Sequence, residues 1–216
     1  MSSAANSTMK RRSKPRVRLA IISVATLLLL FAMAFDTKVV RIGSAADVQP
    51  NAFSAAEFGA SEFPKVKAAI EARAVDAATL AAAITKDKAA AGKEFGVEAG
   101  VGPVISVKFT GLVGKGDSGV YYVKVDGVPA TVRVQTGPAI NGTDLRDATG
   151  AISFGQFVNQ IDYQNAGAAL NKEMKKQILS KIDNSNLAGK TISVIGAFKL
   201  INPNSWLVTP VKLDVQ

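Results

Sequence analysis

The stretch Val104-Ile-Ser-Val-Lys-Phe-Thr-Gly-Leu112, Gly119-Val-Tyr-Tyr-Val-Lys-Val125 and Ala130-Thr-Val-Arg-Val-Gln135 carries the fold. Apolar residues recur at every second position, the period of a strand with one face buried. Gly114-Lys-Gly-Asp-Ser-Gly119 reads as the first turn and Asp126-Gly127 as a hairpin signal, so three strands form an antiparallel meander. Two further strands, Thr191 to Leu200 and Ser205 to Val215, flank the turn Asn202-Pro203-Asn204.

Between the third and fourth strands lies a helical pattern. Ser153 with Gln156 has the spacing of a capping box, and Phe154, Phe157, Val158 and Ile161 form one apolar stripe. Leu170, Met174, Ile178 and Ile182 continue it every four residues, with Gly167 as a break, so one helix is expected over 153–183. Five strands with a helix after the third match an OB-type barrel plugged by that helix; a small open sheet on the helix uses the same signals.

Upstream the period is helical. Residues 47–98 are Ala-rich: Phe53-Ser-Ala-Ala-Glu-Phe58 is a short apolar repeat. Pro64 reads as the opening of a stretch with Val66, Ala69, Ile70 and Arg73 at helical spacing, and Asp76 to Ala91 continues it with Leu80 and Ile84 four apart. Gly92, Gly96, Gly100, Gly102 and Pro103 mark the boundary with the strands. The expected class is α+β: an N-terminal membrane helix, a small helical subdomain (47–98), then a five-stranded OB-like antiparallel barrel (101–216) with an inserted helix.

The first 35 residues specify location. Lys10, Arg11, Arg12, Lys14, Arg16 and Arg18 precede an uncharged run of 17 residues, Leu19 to Phe35. At 1.5 Å per residue the run spans about 25 Å, enough for one crossing of a thin bilayer. Basic residues stay on the cytoplasmic side, which places 1–18 inside and the bulk of the chain in the periplasm of a bacterium, outside its inner membrane. A retained signal anchor over 19–35 and a signal peptide cleaved after Ala34, in the small-x-small sequence Ala32-Met33-Ala34, both fit. Arg11-Arg12 is an ordinary basic flank, because the rest of a twin-arginine motif is missing.

Composition narrows the chemistry. The net charge of +9 is largely the N-terminal cluster; beyond it 20 basic residues face all 17 acidic ones, scattered singly, so no nucleic-acid groove is expected. With no His and no Cys, the chain has no Ser-His-Asp or Cys-His catalysis, no His- or Cys-ligated metal, no disulfide and no lipid-modified cysteine. Asp117, Asp126, Asp144 and Asp147 are loop carboxylates of the kind a glycosidase needs in pairs, but nearly any domain of this size offers as many. Ser153 with Lys172 or Lys175 is explained better by a helix cap than by a dyad. The glycines from Gly111 to Gly119 lead into a strand and lack the phosphate-binding ending. The expectation is a protein without catalytic residues, cofactor or metal.

Candidate binding residues are Asp144, Arg146 and Asp147 in a glycine-flanked loop, where carboxylates and a guanidinium suit a polar ligand or a partner's charge. The alternative is that Arg146 pairs with Asp147 or Asp144 and shapes the loop. The amides of Asn159 and Gln160 suit sugar hydroxyls, or a neighbouring backbone. Tyr121, Tyr122 and Trp206 suit a stacking platform, although one of two adjacent strand tyrosines must face inward.

The blocks Gln135-Thr-Gly-Pro-Ala-Ile-Asn-Gly-Thr-Asp-Leu-Arg-Asp147, Ile152-Ser-Phe-Gly-Gln-Phe-Val-Asn-Gln-Ile161 and Trp206-Leu-Val-Thr-Pro-Val211 resemble unknown-function family 2291, predicted periplasmic lipoproteins. The resemblance covers Val39 to Val215 and implies a helical subdomain followed by an OB-like barrel, with a role beside sugar ABC transporters. It implies as partner a permease or binding protein of such a transporter. Many relatives carry a lipobox cysteine where this chain reads Ala32-Met-Ala-Phe-Asp36, so any anchor here is the apolar helix itself. The two functional expectations are a non-catalytic membrane-tethered accessory module and a periplasmic domain that binds a sugar or carboxylate.

Overall fold

A computed structural model describes residues 15–37 and 53–216. They belong to two compact units, divided at Ala52. In the first, helix α1 (Pro15–Asp36, 22 residues) extends the apolar run at both ends, and is long and apolar enough to cross a bilayer. Its large side chains are exposed, as those of a helix solvated by lipid must be. The basic residues before Pro15, and the start of the Ala-rich stretch at 47–52, lie outside the described residues.

The second unit, Phe53–Gln216, holds the helices and the sheet together. Helix α2 (Ala55–Arg73) begins at Ser54, whose hydroxyl accepts from Glu57 N–H, and buries Phe63, Val66 and Ile70. It runs straight through Pro64, which the sequence placed at a helix start. Pro64 lies on the exposed face, where water can take the carbonyl that its missing N–H leaves free. Helix α3 (Ala77–Lys86) buries Leu80 and Ile84, and α4 (Lys88–Phe95) follows after a break at Asp87. The Asp76 and Asp87 carboxylates each accept two backbone N–H groups, so each starts a new helix.

The sheet has seven strands, not five: β1 (Val75–Asp76), β2 (Gly96–Val97), β3 (Val104–Asp117), β4 (Val120–Lys124), β5 (Thr131–Gln135), β6 (Thr191–Lys199) and β7 (Ser205–Val215). Its order is β1-β3-β4-β5-β7-β6, with β2 branching from β3 and an additional β3–β6 pairing. It is therefore not the simple closed five-stranded antiparallel barrel expected. The two extra strands are two-residue segments that flank α3 and α4 and pair with β3, and β1–β3 and β5–β7 run parallel. Pieces of two residues carry no periodicity, which is why alternation did not reveal them.

Strand β3 also runs through the glycines read as a turn. Val104 to Leu112 pair with β6, and Leu112 to Asp117 pair with β4 across a bulge between Val113 and Gly116. Only Ser118 and Gly119 turn the chain, both at positive φ (51° and 80°), the pattern of a two-residue hairpin. The inner faces of the strands supply Val107, Val132, Val134, Val194 and Val208 to the core, with Trp206 stacked on Phe198 at 4.9 Å.

The single helix expected over 153–183 is three pieces. A 3-10 turn covers Phe154–Gln156, α6 spans Gln160–Gln177, and a second 3-10 turn covers Leu179–Lys181. A four-residue helix, α5 (Asp144–Asp147), precedes them. Asn159 caps α6 through Asp162 N–H at 2.9 Å, and competes successfully with Ser153 for the helix start. The face that packs is Ala166, Ala169, Leu170 and Met174, while Phe154, Val158 and Ile161 stay exposed. Helix α6 crosses α2 closely where Gly59 meets the Ala169 backbone.

Gly119 carries the tightest backbone approach in the unit: a Cβ there would lie 1.1 Å from the Gly137 carbonyl oxygen. Gly119→Ala adds that overlap to an unfavourable φ, so it should lower unfolding stability by about 3 kcal/mol or more. Chemical denaturation of the variant against the parent, with Gly127→Ala as a comparison at similar φ and a looser 3.1 Å contact, measures it.

Candidate functional site

Three of the five candidate residues converge beside β6. Thr143 precedes α5, and its hydroxyl donates to Asp147 Oδ2 at 2.7 Å. Arg146 Nε donates to Asp147 Oδ1 at 2.8 Å, and Lys199 from β6 reaches Oδ2 at 3.3 Å. The Arg146 guanidinium also donates to the Tyr163 carbonyl at 3.1 Å and lies 3.6 Å over the Tyr163 ring. Arg146, Asp147, Lys199 and Tyr163 line a cleft of about 480 Å³, closed by Glu98, Val101 and Phe154. Asn171 Nδ2, on α6, fixes the preceding loop through the Gly142 carbonyl at 3.0 Å.

The two aspartates are tuned in opposite directions. Burial pushes Asp147 up, but hydrogen bonds from Arg146 and Thr143, and the Arg146 and Lys199 charges, outweigh it and hold the carboxyl below its usual range. Asp144 is raised to about 6, by burial above all; Lys199 opposes the rise and the Asp147 charge adds to it. Asp144 accepts no side-chain hydrogen bond among the described contacts and does not line the cleft.

The other two candidates do not join the cluster. Asn159 is the α6 cap, with its amide nitrogen on Asp162 Oδ2 at 2.9 Å, and Gln160 is the first, exposed residue of that helix. The stacking platform is also corrected. Trp206 is fully buried, with Nε1 donating to the Pro203 carbonyl, and Tyr121 points inward with its hydroxyl on the Asn184 carbonyl. Tyr122 alone faces out, 46% exposed.

Tyr122 belongs to a second feature. It lies opposite Arg133 on β5, which lies opposite Leu207 on β7, while Leu112 on β3 lies opposite Lys124, two residues from Tyr122. Directly paired residues share a face, so these five side chains form one outward band across four strands. Arg133 bonds Ser205 Oγ at 3.0 Å through one terminal nitrogen, and its buried Nε has no partner. Leu112 and Tyr122 also line a groove of about 770 Å³ floored by Val123, Val125 and Pro129. Lys199, Tyr163 and Arg133 escaped the sequence reading because nothing local marks them; pairing across β5–β7 and packing of α5 on α6 bring them into place.

The model of the family described as predicted periplasmic lipoprotein (DUF2291) matches residues 24–214. The chain belongs to this family. No curated protein matches it. Among solved structures, an OB-fold protein from Thermotoga maritima superposes with a TM-score of 0.61 at 18% identity, covering 77% of this chain and all of that one. At that identity the likeness concerns the fold alone. The family and the N-terminal apolar helix together fit a membrane-anchored protein with a periplasmic domain. Unlike a lipid-anchored relative, this DUF2291 chain has no cysteine to modify.

Two substitutions read the cluster in opposite directions. Asp147→Asn leaves Arg146 and Lys199 facing one another without a carboxylate, and should cost about 3 kcal/mol at pH 7. Asp144→Asn should instead stabilise. The folded state holds a proton on Asp144 more tightly than the unfolded chain, so its cost grows as pH rises through 4 to 6 and is complete above 6. The gain should be about 2 to 3 kcal/mol at pH 7.5 and near zero at pH 4, read by denaturation of variant and parent at both values.

Proposed function

We propose that the protein is a membrane-anchored, non-catalytic periplasmic accessory module that works by contact with another protein through the outward band of Tyr122, Arg133, Leu207, Leu112 and Lys124. The observation that carries this reading is the contrast between the two features. In the cleft, Arg146, Asp147, Lys199 and Thr143 satisfy one another, which suits a rigid loop better than a waiting ligand. On the sheet, a half-exposed tyrosine, a partly exposed arginine and an exposed leucine stand side by side. Tyr and Arg beside apolar neighbours are the residue types on which protein interfaces concentrate their energy. In OB folds the face of the second and third strands, here β4 and β5, is a binding surface for extended polymers. A permease or binding protein of a sugar ABC importer is the partner that the family resemblance implies.

A small-ligand reading has one observation in its favour: at about 480 Å³ the cleft is within the size range of ligand pockets. Its ligand would be a sugar or carboxylate held by Arg146 and Lys199.

A photo-crosslinking residue at Tyr122, compared with one at Lys212 in intact cells, separates the readings. Adducts to an importer subunit from position 122 alone are expected. Tyr122→Ala or Arg133→Ala should lower partner recovery about tenfold or more, since truncating such a contact costs about 2 kcal/mol. No adduct at 122, together with stabilisation of the protein by a sugar or carboxylate, would assign function to the cleft instead.

A further inference from the structure

A third cavity, of about 570 Å³, shares no residue with the cleft or the groove. Asp117 at the β3–β4 hairpin, Tyr121, Pro138, Lys175 on α6, Leu179 and Asn184 line it. Hydrogen bonds between elements distant in sequence close its rim. Thr136 donates its N–H and its hydroxyl to the Gly119 carbonyl, at 2.8 and 3.1 Å, and ties the hairpin to the loop after β5. Lys175 Nζ donates to the Pro138 carbonyl and ties that loop to α6. Asn184 Nδ2 donates to the Leu179 carbonyl at 2.8 Å, and the Tyr121 hydroxyl donates to the Asn184 carbonyl at 3.0 Å, which brings the wall back to β4. The Tyr121 ring lies against Gly116, where a Cβ would enter it. A cavity formed in this way needs little reordering to take a ligand, and its size is that of small-molecule sites.

Asp117 and Lys175 are the only charged residues of the lining, and they are opposite in sign. Each is held at one point and has bonding capacity left. The Lys175 ammonium uses one of its three donors on Pro138, and Asp117 accepts the Ser118 hydroxyl at 2.9 Å through Oδ1 alone. Neither forms an ion pair with the other or with any described residue. A neutral ligand leaves both charges unused, and an anion or a cation matches one and is opposed by the other. A zwitterion matches both. We propose that the cavity binds a small zwitterion of the amino-acid class, a free α-amino acid or a short peptide. Its carboxylate meets Lys175, its ammonium meets Asp117, and its side chain lies against Tyr121, Pro138 and Leu179. Such a site is independent of the outward band: Tyr121 and Tyr122 point to opposite faces of β4, and only Tyr121 belongs to the cavity.

The test uses the full chain in detergent micelles, with thermal unfolding as the readout. The common L-amino acids, dialanine and glucose are added singly at millimolar concentration. The expected result is that at least one amino acid or dialanine raises the unfolding midpoint, as a ligand of the folded state must, and that glucose does not. The N-acetyl derivative and the amide of that compound should each bind about tenfold or more weakly, since each lacks one charge-assisted contact. Asp117→Asn and Lys175→Met should each weaken binding to a similar extent. Both positions are exposed, so the midpoint without ligand should change little. Asp117→Asn keeps an oxygen for Ser118 and reads the charge by itself, even if Lys175→Met loosens the loop at Pro138. No shift with any of the zwitterions overturns the proposal. So does a shift that survives both substitutions, or one that the N-acetyl derivative or the amide reproduces in full.

Discussion

Strand β3 is the constraint on which the folded unit depends. Its 14 residues pair with four other strands, whereas β4, β5, β6 and β7 each pair with two. One half supports β6; the other half, beyond the bulge at Val113 to Gly116, supports β4. The glycines around the bulge permit this change of partner. At Gly111 a Cβ would approach the Lys124 carbonyl to 2.5 Å, and at Gly116 it would enter the Tyr121 ring. The turn at Ser118-Gly119 then returns the chain so that Tyr121 faces in and Tyr122 out. The outward band is thus a consequence of a register set several residues earlier.

Electrostatics divides the surface into occupied and available parts. Asp147 collects a guanidinium, an ammonium and a hydroxyl, so α5 and β6 meet on that one carboxylate, and Arg146 links it on to α6 through the Tyr163 carbonyl. Asp144, a turn away, accepts no such hydrogen bonds, and burial raises it to about 6 although the Lys199 charge opposes the rise. Among described residues no group of three acidic side chains is placed to hold a metal ion. What stays available on the sheet is apolar or aromatic, with Arg133 and Lys124 as its charged members.

Much of this architecture was legible in the order of residues. Period-two alternation located β3 to β7 to within a few positions, because each has one face in the core and one outside. Alternation is silent about β1 and β2, which exist only because α3 and α4 bring their ends to β3. Helical spacing misled at Phe154 to Ile161: the four apolar residues share no face, since Phe157 packs inward while Phe154, Val158 and Ile161 are exposed, and local competition from Asn159 moved the helix start. Pro64 misled for a related reason, since an exposed helix position tolerates a lost hydrogen bond. For the candidate site, Asp144, Arg146 and Asp147 were visible as a charged loop. Lys199 and Tyr163, which decide what that loop does, come from packing that no short motif encodes.

The ring cluster at the start of the folded unit has a mechanical side. Tension applied at Phe53 passes first into Phe58 and Phe157, and from there into the crossing of α2 with α6 at Gly59 and Ala169. Two helices loaded along their packed faces resist by shear, whereas a strand pulled from a sheet edge yields one hydrogen bond at a time. Helix α2 packs on β3, β6 and β7, so such a load enters the sheet through those strands and across the faces of the helices.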